Sequence, residues 1–406
     1  MQSSSPIATH ERIAHFDLLR GFALYGVLLA NTVDYYSGLA FLPKARLNEL
    51  SSRADRVADL FIHLLVSGKS MTLLTFLFGL GFAIQLERAE AKQESVLPMY
   101  IRRLLAMMAI GLCHVALLWW GDILWGYALA AFALILFRKA SLRSLFYWAI
   151  GLSLLPQCIG SIPWVAEHLS KILPAPLDHP TFSANLLQVL EKGSFVERAG
   201  LQFLQAFYHV SRIASWYFPW LLGHFLLGYW AGRSHWLHRP SEHARFFKKL
   251  LGWGMGIGLL CSSIWPVLRL VMPPGEPPSA PLQLLLILPS KLGTPAMAAA
   301  YLAAIVLLVQ RPGRRKLLRI LESVGRMPLT TYIAQSLFST FIFYGWGLGL
   351  IGQLGSALCI PLSLGIFGLQ IIISHYWLKR FRFGPLEWLW RTLSYGRAQE
   401  MRINTP

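Results

Sequence analysis

A histidine and an aspartate eight residues apart, His114 and Asp122, close an apolar run reading CHVALLWWGDIL. Imidazole titrates near neutral pH and serves readily as a general base, and a carboxylate can orient it. On one continuous helix the two lie about 12 Å apart and about 80° off one face. Contact therefore requires the chain to turn back at Gly121. The other reading of His114 is a histidine satisfied by a neighbouring helix. His63, at the outer mouth of the preceding run, is the rival base. Lys69 stands about seven residues inside its run, roughly 10 Å deep, where a cation can stabilise an oxyanion. Asn31 ends the first apolar run. His114, Asp122, Asn31 and Lys69 form the candidate catalytic set, whereas Lys291 and Arg212 read as interfacial anchors.

A second polar set lies at the opposite ends of the runs. Asp17 and Arg20 are three apart, share one helix face and can pair, and Gly21 and Gly26 flatten that face. The plain alternative is a positional ion pair at a helix end. Glu322, Arg326 and the segment GPLEWLWR (384–391) belong to the same side. Gln335 sits about a third of the way into its run and can bond a helix carbonyl. Charges inside an apolar run are costly and face a partner or a cavity. Asp17, Arg20, Arg326 and Gln335 are the candidate substrate- or cofactor-binding residues.

The elements that must position these groups are membrane helices. The chain has 406 residues, is 55 % hydrophobic and only 14 % charged, too little charge to cover a soluble surface of this size. Near-continuous apolar runs of about 20 residues point to an all-α, polytopic membrane protein. No alternation at period 2 suggests a barrel. Ten spans are expected, near 16–33, 62–86, 101–120, 123–137, 145–163, 214–232, 249–272, 284–309, 328–350 and 354–377. The connections after every second span are basic, and the turns at Gly121-Asp122 and around Gly352 carry no Lys or Arg. That alternation puts both termini in the cytoplasm of a multi-pass protein. The first run is expected to stay as an uncleaved span.

One membrane domain over 1–406 is expected: a five-helix half (16–163), an outer loop (164–213) and a second half (214–406). The aromatic end of that loop suits the outer interface. Residues 34–61 are expected to include an amphipathic piece, and 273–281 a Pro-rich loop.

The net charge of +18 tracks the topology and does not indicate nucleic acid. Cys113, Cys158, Cys261 and Cys359 lie in or beside apolar runs without metal spacing and read as packing residues, so no metal is expected. No GxSxG elbow, HExxH or Walker motif occurs. The glycines at 345, 347, 349 and 352 follow no strand and mark a bend or close helix packing.

Several stretches resemble the YeiB-like family of bacterial inner-membrane proteins. They are the opening span with Asp17, Arg20, Gly21 and Asn31; GKSMTLLTFLFGLGFA from Gly68; RRLLAMMAIGLCHVALLWWGDILWGYAL from Arg102; and VGRMPLTTYIAQSLFSTFIFYGWGLGL from Val324. The ending, SHYWLKRFRFGPLEWLWRTLSYGR from Ser374, is similar to that family's C-terminal domain of unknown function. The D-x-x-R-G…N opening is also similar to that of heparan-glucosaminide acetyltransferase and the wider membrane acyltransferase group. This similarity implies transfer from a cytoplasmic acyl-CoA, such as acetyl-CoA, to an acceptor across the inner membrane. Two departures stand out. Residues 32–62 contain no histidine, where the acetyltransferase has its active-site histidine. The stretch that reads LTNY in the family is Leu329-Thr330-Thr331-Tyr332 here.

Two functions stand as expectations. One is acyl transfer with His114 as base. The other is a transporter or flippase of a small polar molecule or lipid, which buried charges suit equally. A binding or sensor protein without turnover is a third. The bilayer is the expected partner. Neither the acceptor nor the oligomeric state is legible.

Overall fold

In the computed structural model the described residues are 14–91, 93, 97–172, 180–237, 239–272 and 278–403. Within their helices the side chains at 14, 169–172, 180–184, 208–215, 269–270, 312 and 314–318 are not described. Lys92 and much of the Pro-rich 273–281 segment therefore lie outside the described residues, as does the side chain of Arg212.

The protein is an all-α membrane protein. Its helices are α1 (Ala14–Asn31), α2 (Lys44–Leu50), α3 (Arg53–Leu65), α4 (Lys69–Ala91), α5 (Leu97–Leu117), α6 (Leu124–Leu134), α7 (Leu142–Gly160), α8 (Pro163–Ile172), α9 (Pro180–Lys192), α10 (Phe195–Arg233), α11 (Ala244–Val271), α12 (Ala280–Val309), α13 (Pro312–Arg326), α14 (Pro328–Phe343), α15 (Ser356–Arg380) and α16 (Pro385–Tyr395). Among the described residues no strand forms, only one isolated antiparallel bridge, Phe381 to Arg402.

Among the described residues six stretches are long and apolar enough to cross a membrane: His15–Phe41, Arg53–Ala91, Leu97–Leu117, Ala244–Leu268, Ala280–Val309 and Ser356–Arg380. The other four expected spans fall on α6, α7, the second half of α10 and α14, which are shorter or less apolar. The ninth ends early, at Phe343, because the chain turns there. Gly352 takes φ +70° and donates its N–H to the Ser37 carbonyl at 2.7 Å, a backbone state that suits glycine.

Helix α1 is central, packed by α4, α12, α13, α14 and α15. Leu18, Leu19, Ala23, Leu24 and Leu28 are buried. At its crossing with α13, Gly21 lies against the Leu321 carbonyl and Gly325 against that of Asp17. Side chains there would hold the backbones apart. Gly79 and Gly228 do the same for α4 and α10, each facing a backbone carbonyl of the other helix. The 312–326 segment, expected as a basic loop, is thus an amphipathic helix docked on α1. Polar charge on one face does not prevent a helix whose other face packs.

The described residues of the 164–213 segment, expected as an outer loop, are mainly helical. Ser194 and Glu197 form a capping box at the start of α10. The helix then runs through the aromatic stretch and the expected sixth span without a break. α11 and α12 pair at the periphery. Only 17 % of the apolar window of α11 is buried, which leaves Trp253 and Leu260 facing outward, as lipid contact requires. α3 is the amphipathic piece. It buries Asp55, Ala58 and Ile62 and exposes Val57, Leu60 and Phe61.

Candidate functional site

The turn that closes α5 brings His114 and Asp122 together. The Trp119 N–H bonds back to the His114 carbonyl, and the chain reverses through Gly121 before α6 begins. Asp122 Oδ2 then lies 2.7 Å from His114 Nδ1. Asp122 Oδ1 accepts the Trp125 N–H at 3.0 Å, which satisfies a free donor at the start of α6. The side chains are 1 % and 0 % exposed. Gly111, one turn before His114, makes this possible. A Cβ there would stand 2.5 Å from the Trp125 nitrogen and 2.8 Å from Asp122 Oδ1. A carboxylate on Nδ1 favours the tautomer with its proton there and leaves the Nε2 lone pair free. His114 Nε2 is buried and has no hydrogen-bond partner among the described residues.

A polar shell surrounds the pair. The Tyr332 ring meets the imidazole edge-on at 5.4 Å, and its hydroxyl accepts the Ile123 N–H at 3.2 Å. The Tyr36 hydroxyl bonds Ser336 Oγ at 2.7 Å, and its ring lies 4.5 Å from that of Trp119. Tyr36, Tyr217 and Tyr332 all lie within range of the Asp122 charge. Trp119 Nε1, Thr32 Oγ1 and Ser339 Oγ are buried without a partner among the described residues. Buried polar atoms normally have partners, so each of these, like His114 Nε2, is a departure from an ordinary core. Sequence reasoning missed Gly111, Tyr36, Tyr332 and Ser336. A usable signal existed in α14, where Gln335, Ser336, Ser339 and Thr340 are polar in an apolar run and are all buried.

Among the described residues no hydrogen bond or ion pair joins the other expected catalytic residues to this pair. Lys69 is buried at the start of α4, and its Nζ donates to the His63 carbonyl at 2.5 Å, closing the α3–α4 corner. The His63 side chain itself is exposed. Asn31 is half-buried where α1 passes into a five-residue π turn, Thr32–Tyr36, and makes no capping bond. One turn beyond His114, a cavity of about 220 Å³ is lined by Leu117, Leu118, Arg198, Gln202, Tyr344 and Trp346, among others.

At the other end of α1, Arg20 donates to Asp17 at 2.8 Å. Gln335 donates to the Leu24 carbonyl at 3.2 Å and faces Gln370 Oε1 at 3.4 Å. Arg326 is half-buried at the end of α13, and its Nε has no partner among the described residues. The GPLEWLWR segment is the start of α16. Glu387 Oε1 accepts the Leu329 and Thr330 N–H groups at 2.6 and 3.0 Å, and Oε2 accepts the Thr330 hydroxyl at 2.5 Å. This carboxylate from one helix thus caps the N-terminus of another, α14. Burial pushes its pKa above the ordinary value of 4.5, against the lowering by these bonds.

A family model described as "Protein of unknown function (DUF418)" matches residues 231–397. The chain is 32 % identical to "Uncharacterized protein YxaH" of Bacillus subtilis (strain 168), over 97 % of each chain. It is 29 % identical to "Uncharacterized 39.9 kDa protein in amylase 3'region" of Bacillus acidopullulyticus, over 97 % of this chain and 96 % of the relative. It is 28 % identical to "Uncharacterized protein YeiB" of Escherichia coli (strain K12), over 96 % of this chain and 97 % of the relative. No solved structure matches.

Proposed function

This chain belongs to the YeiB-like family, and we propose that it is an acyltransferase of the bacterial inner membrane, with His114 as general base and Asp122 orienting it. The observation that carries the reading is the buried pair at 2.7 Å whose outer nitrogen, Nε2, has no partner among the described residues. A base fixed on one side and open on the other is the arrangement that proton abstraction needs.

An acceptor hydroxyl or amine gives its proton to Nε2 as its oxygen or nitrogen attacks the thioester carbonyl of an acyl-CoA. The tetrahedral intermediate collapses, the C–S bond breaks, and the proton on Nε2 passes to the departing thiolate. Asp122 holds Nδ1 and stabilises the imidazolium between the two transfers. The Tyr332 hydroxyl, on a ring that meets the imidazole, supplies a donor for the developing oxyanion. The donor enters from the cytoplasmic end, near Asp17, Arg20, Arg326 and Gln335. The acceptor arrives at the outer end, near Asn31, about 21 Å along α1 from Asp17. Lys69 holds the α3–α4 corner of that end through His63.

The test is purified full-length protein in detergent, given acetyl-CoA labelled in the acetyl group together with a bacterial envelope extract. Release of free thiol and transfer of label are expected, and both are lost in His114→Ala. The mechanism fails if His114→Ala and Asp122→Asn leave the rate unchanged. Movement of label across reconstituted vesicles without thiol release identifies a transporter instead.

A further inference from the structure

At the end of the bundle that holds the N-terminus of α1, guanidinium groups from three helices come together. Arg103 of α5 lies over the Trp390 ring of α16, 3.8 Å from its centre, and its carbonyl accepts the Trp390 indole N–H at 2.8 Å. Arg391, the next residue, lies over Phe383 at 4.5 Å. Arg103 feels the charge of Arg391, and both feel that of Arg20.

Two carboxylates at this end are committed elsewhere. Asp17 takes Arg20, and Glu387 takes the α14 N-terminus. Among the described residues neither Arg103 nor Arg391 forms an ion pair. Burial, with the neighbouring Arg20 charge, holds the Arg391 guanidinium below its ordinary pKa, against the raising influence of Tyr395 and Glu387. The Tyr100 hydroxyl lies within reach of the Arg103 charge. It is buried and has no partner among the described residues.

Like charges gathered in a partly desolvated place repel one another unless an anion joins them. Topology asks for basic residues near a cytoplasmic surface. It does not ask for them to stack on aromatic rings in mutual range. Stacking on a ring face also holds each guanidinium fork at a fixed orientation, which suits a bidentate acceptor better than a mobile lysine does.

We propose that Arg103, Arg391 and Tyr100, with Arg20 beside them, form a binding site for a phosphate or pyrophosphate group. Both arginines are half-buried. The site does not depend on the transfer reaction, and its ligand is either a soluble phosphate compound or a phospholipid headgroup of the facing leaflet.

The test uses the full-length protein in phosphatidylcholine nanodiscs, titrated with inorganic pyrophosphate while the melting temperature is read. Pyrophosphate is expected to stabilise the wild type, less so as salt rises. Half-saturation should move up by roughly tenfold or more in Arg103→Gln and in Arg391→Gln. Arg102→Gln, at an exposed neighbour, should respond as the wild type does. A parallel set of nanodiscs contains phosphatidylglycerol. If that lipid stabilises the wild type, fails to stabilise Arg103→Gln and displaces pyrophosphate, the headgroup is the ligand. Should Arg391→Gln not fold, Arg103→Lys decides: it keeps the charge, loses the stacked fork, and should bind more weakly than wild type. The proposal is overturned if neither pyrophosphate nor phosphatidylglycerol stabilises the wild type, or if the Arg103 variants respond as the wild type does.

Discussion

His114 and Asp122 meet across a reversed chain, Nδ1 to Oδ2 at 2.7 Å, and the same carboxylate accepts the Trp125 N–H through its other oxygen. One side chain therefore both orients the imidazole and starts α6. Asp122→Asn separates the two roles. Its amide oxygen can still take the Trp125 N–H, while its NH₂ turns toward Nδ1 and moves the imidazole proton to Nε2. The expected outcome is a folded protein whose thiol release falls by roughly 10²–10⁴-fold. A normal rate in a folded Asp122→Asn protein removes His114 as the base.

Gly111 holds the space in which Asp122 reaches His114. Gly111→Ala places a methyl against the Trp125 nitrogen and Asp122 Oδ1. Overpacking of this kind costs about 1–3 kcal/mol and should abolish transfer even where the protein folds. Gly81→Ala is the control, since a Cβ there meets nothing within 4 Å. It should hold or slightly raise the melting temperature.

Lys69 donates to the His63 carbonyl at the end of α3. Lys69→Met keeps most of the side-chain volume and removes the donor. A loss of about 1–3 kcal/mol in stability is expected, with the rate per folded molecule near that of wild type. A large fall in rate at unchanged melting temperature would place Lys69 in the reaction.

Glu387 gives a pH dependence whose sign is set by burial. Its folded pKa is raised above the ordinary value of 4.5. The folded state therefore binds the proton more tightly than the unfolded chain does. The stability this contributes is complete below the unfolded pKa and is lost as pH rises through the folded one. Glu387→Gln cannot ionise. Melting curves from acid to neutral pH should show wild type losing ground against Glu387→Gln over that window, then running parallel. Wild type gaining stability relative to Glu387→Gln as pH rises contradicts the raised pKa.

The basic connections predict orientation. A fluorescent protein fused after the C-terminus should fluoresce in bacterial cells, and alkaline phosphatase fused there should be inactive. Fusions after Gly121 should behave in the opposite way. Six crossings predict the same result at both points, so a third fusion after Lys139 decides the count: it lies inside if α6, α7, the second half of α10 and α14 complete ten crossings, and outside if only the six long apolar stretches cross.

The membrane class and the helical runs were legible from the chain because lipid imposes them locally. A span must be apolar and must bond its own backbone. The Asp17–Arg20 pair was legible for the same reason, since two residues three apart on one helix need no other element. The break of the ninth span at Phe343 was legible only in part: the run of glycines marked a bend, and the bond from Gly352 to Ser37 located it. The docking of 312–326 on α1 and the continuity of α10 were not legible, because both rest on the packing of distant faces. His114 and Asp122 were each visible as polar residues in the wrong place. That they touch was decided by tertiary structure. Gly111 let α6 approach α5, and nothing in an apolar sequence distinguishes that glycine from one that faces open space. The same holds for Arg103 and Arg391, 288 residues apart in the chain, whose shared corner exists only because α16 folds back onto α5. Periodicity and charge are properties of a segment. A site is a property of which segments meet, and that is settled by side-chain volume at a few crossings.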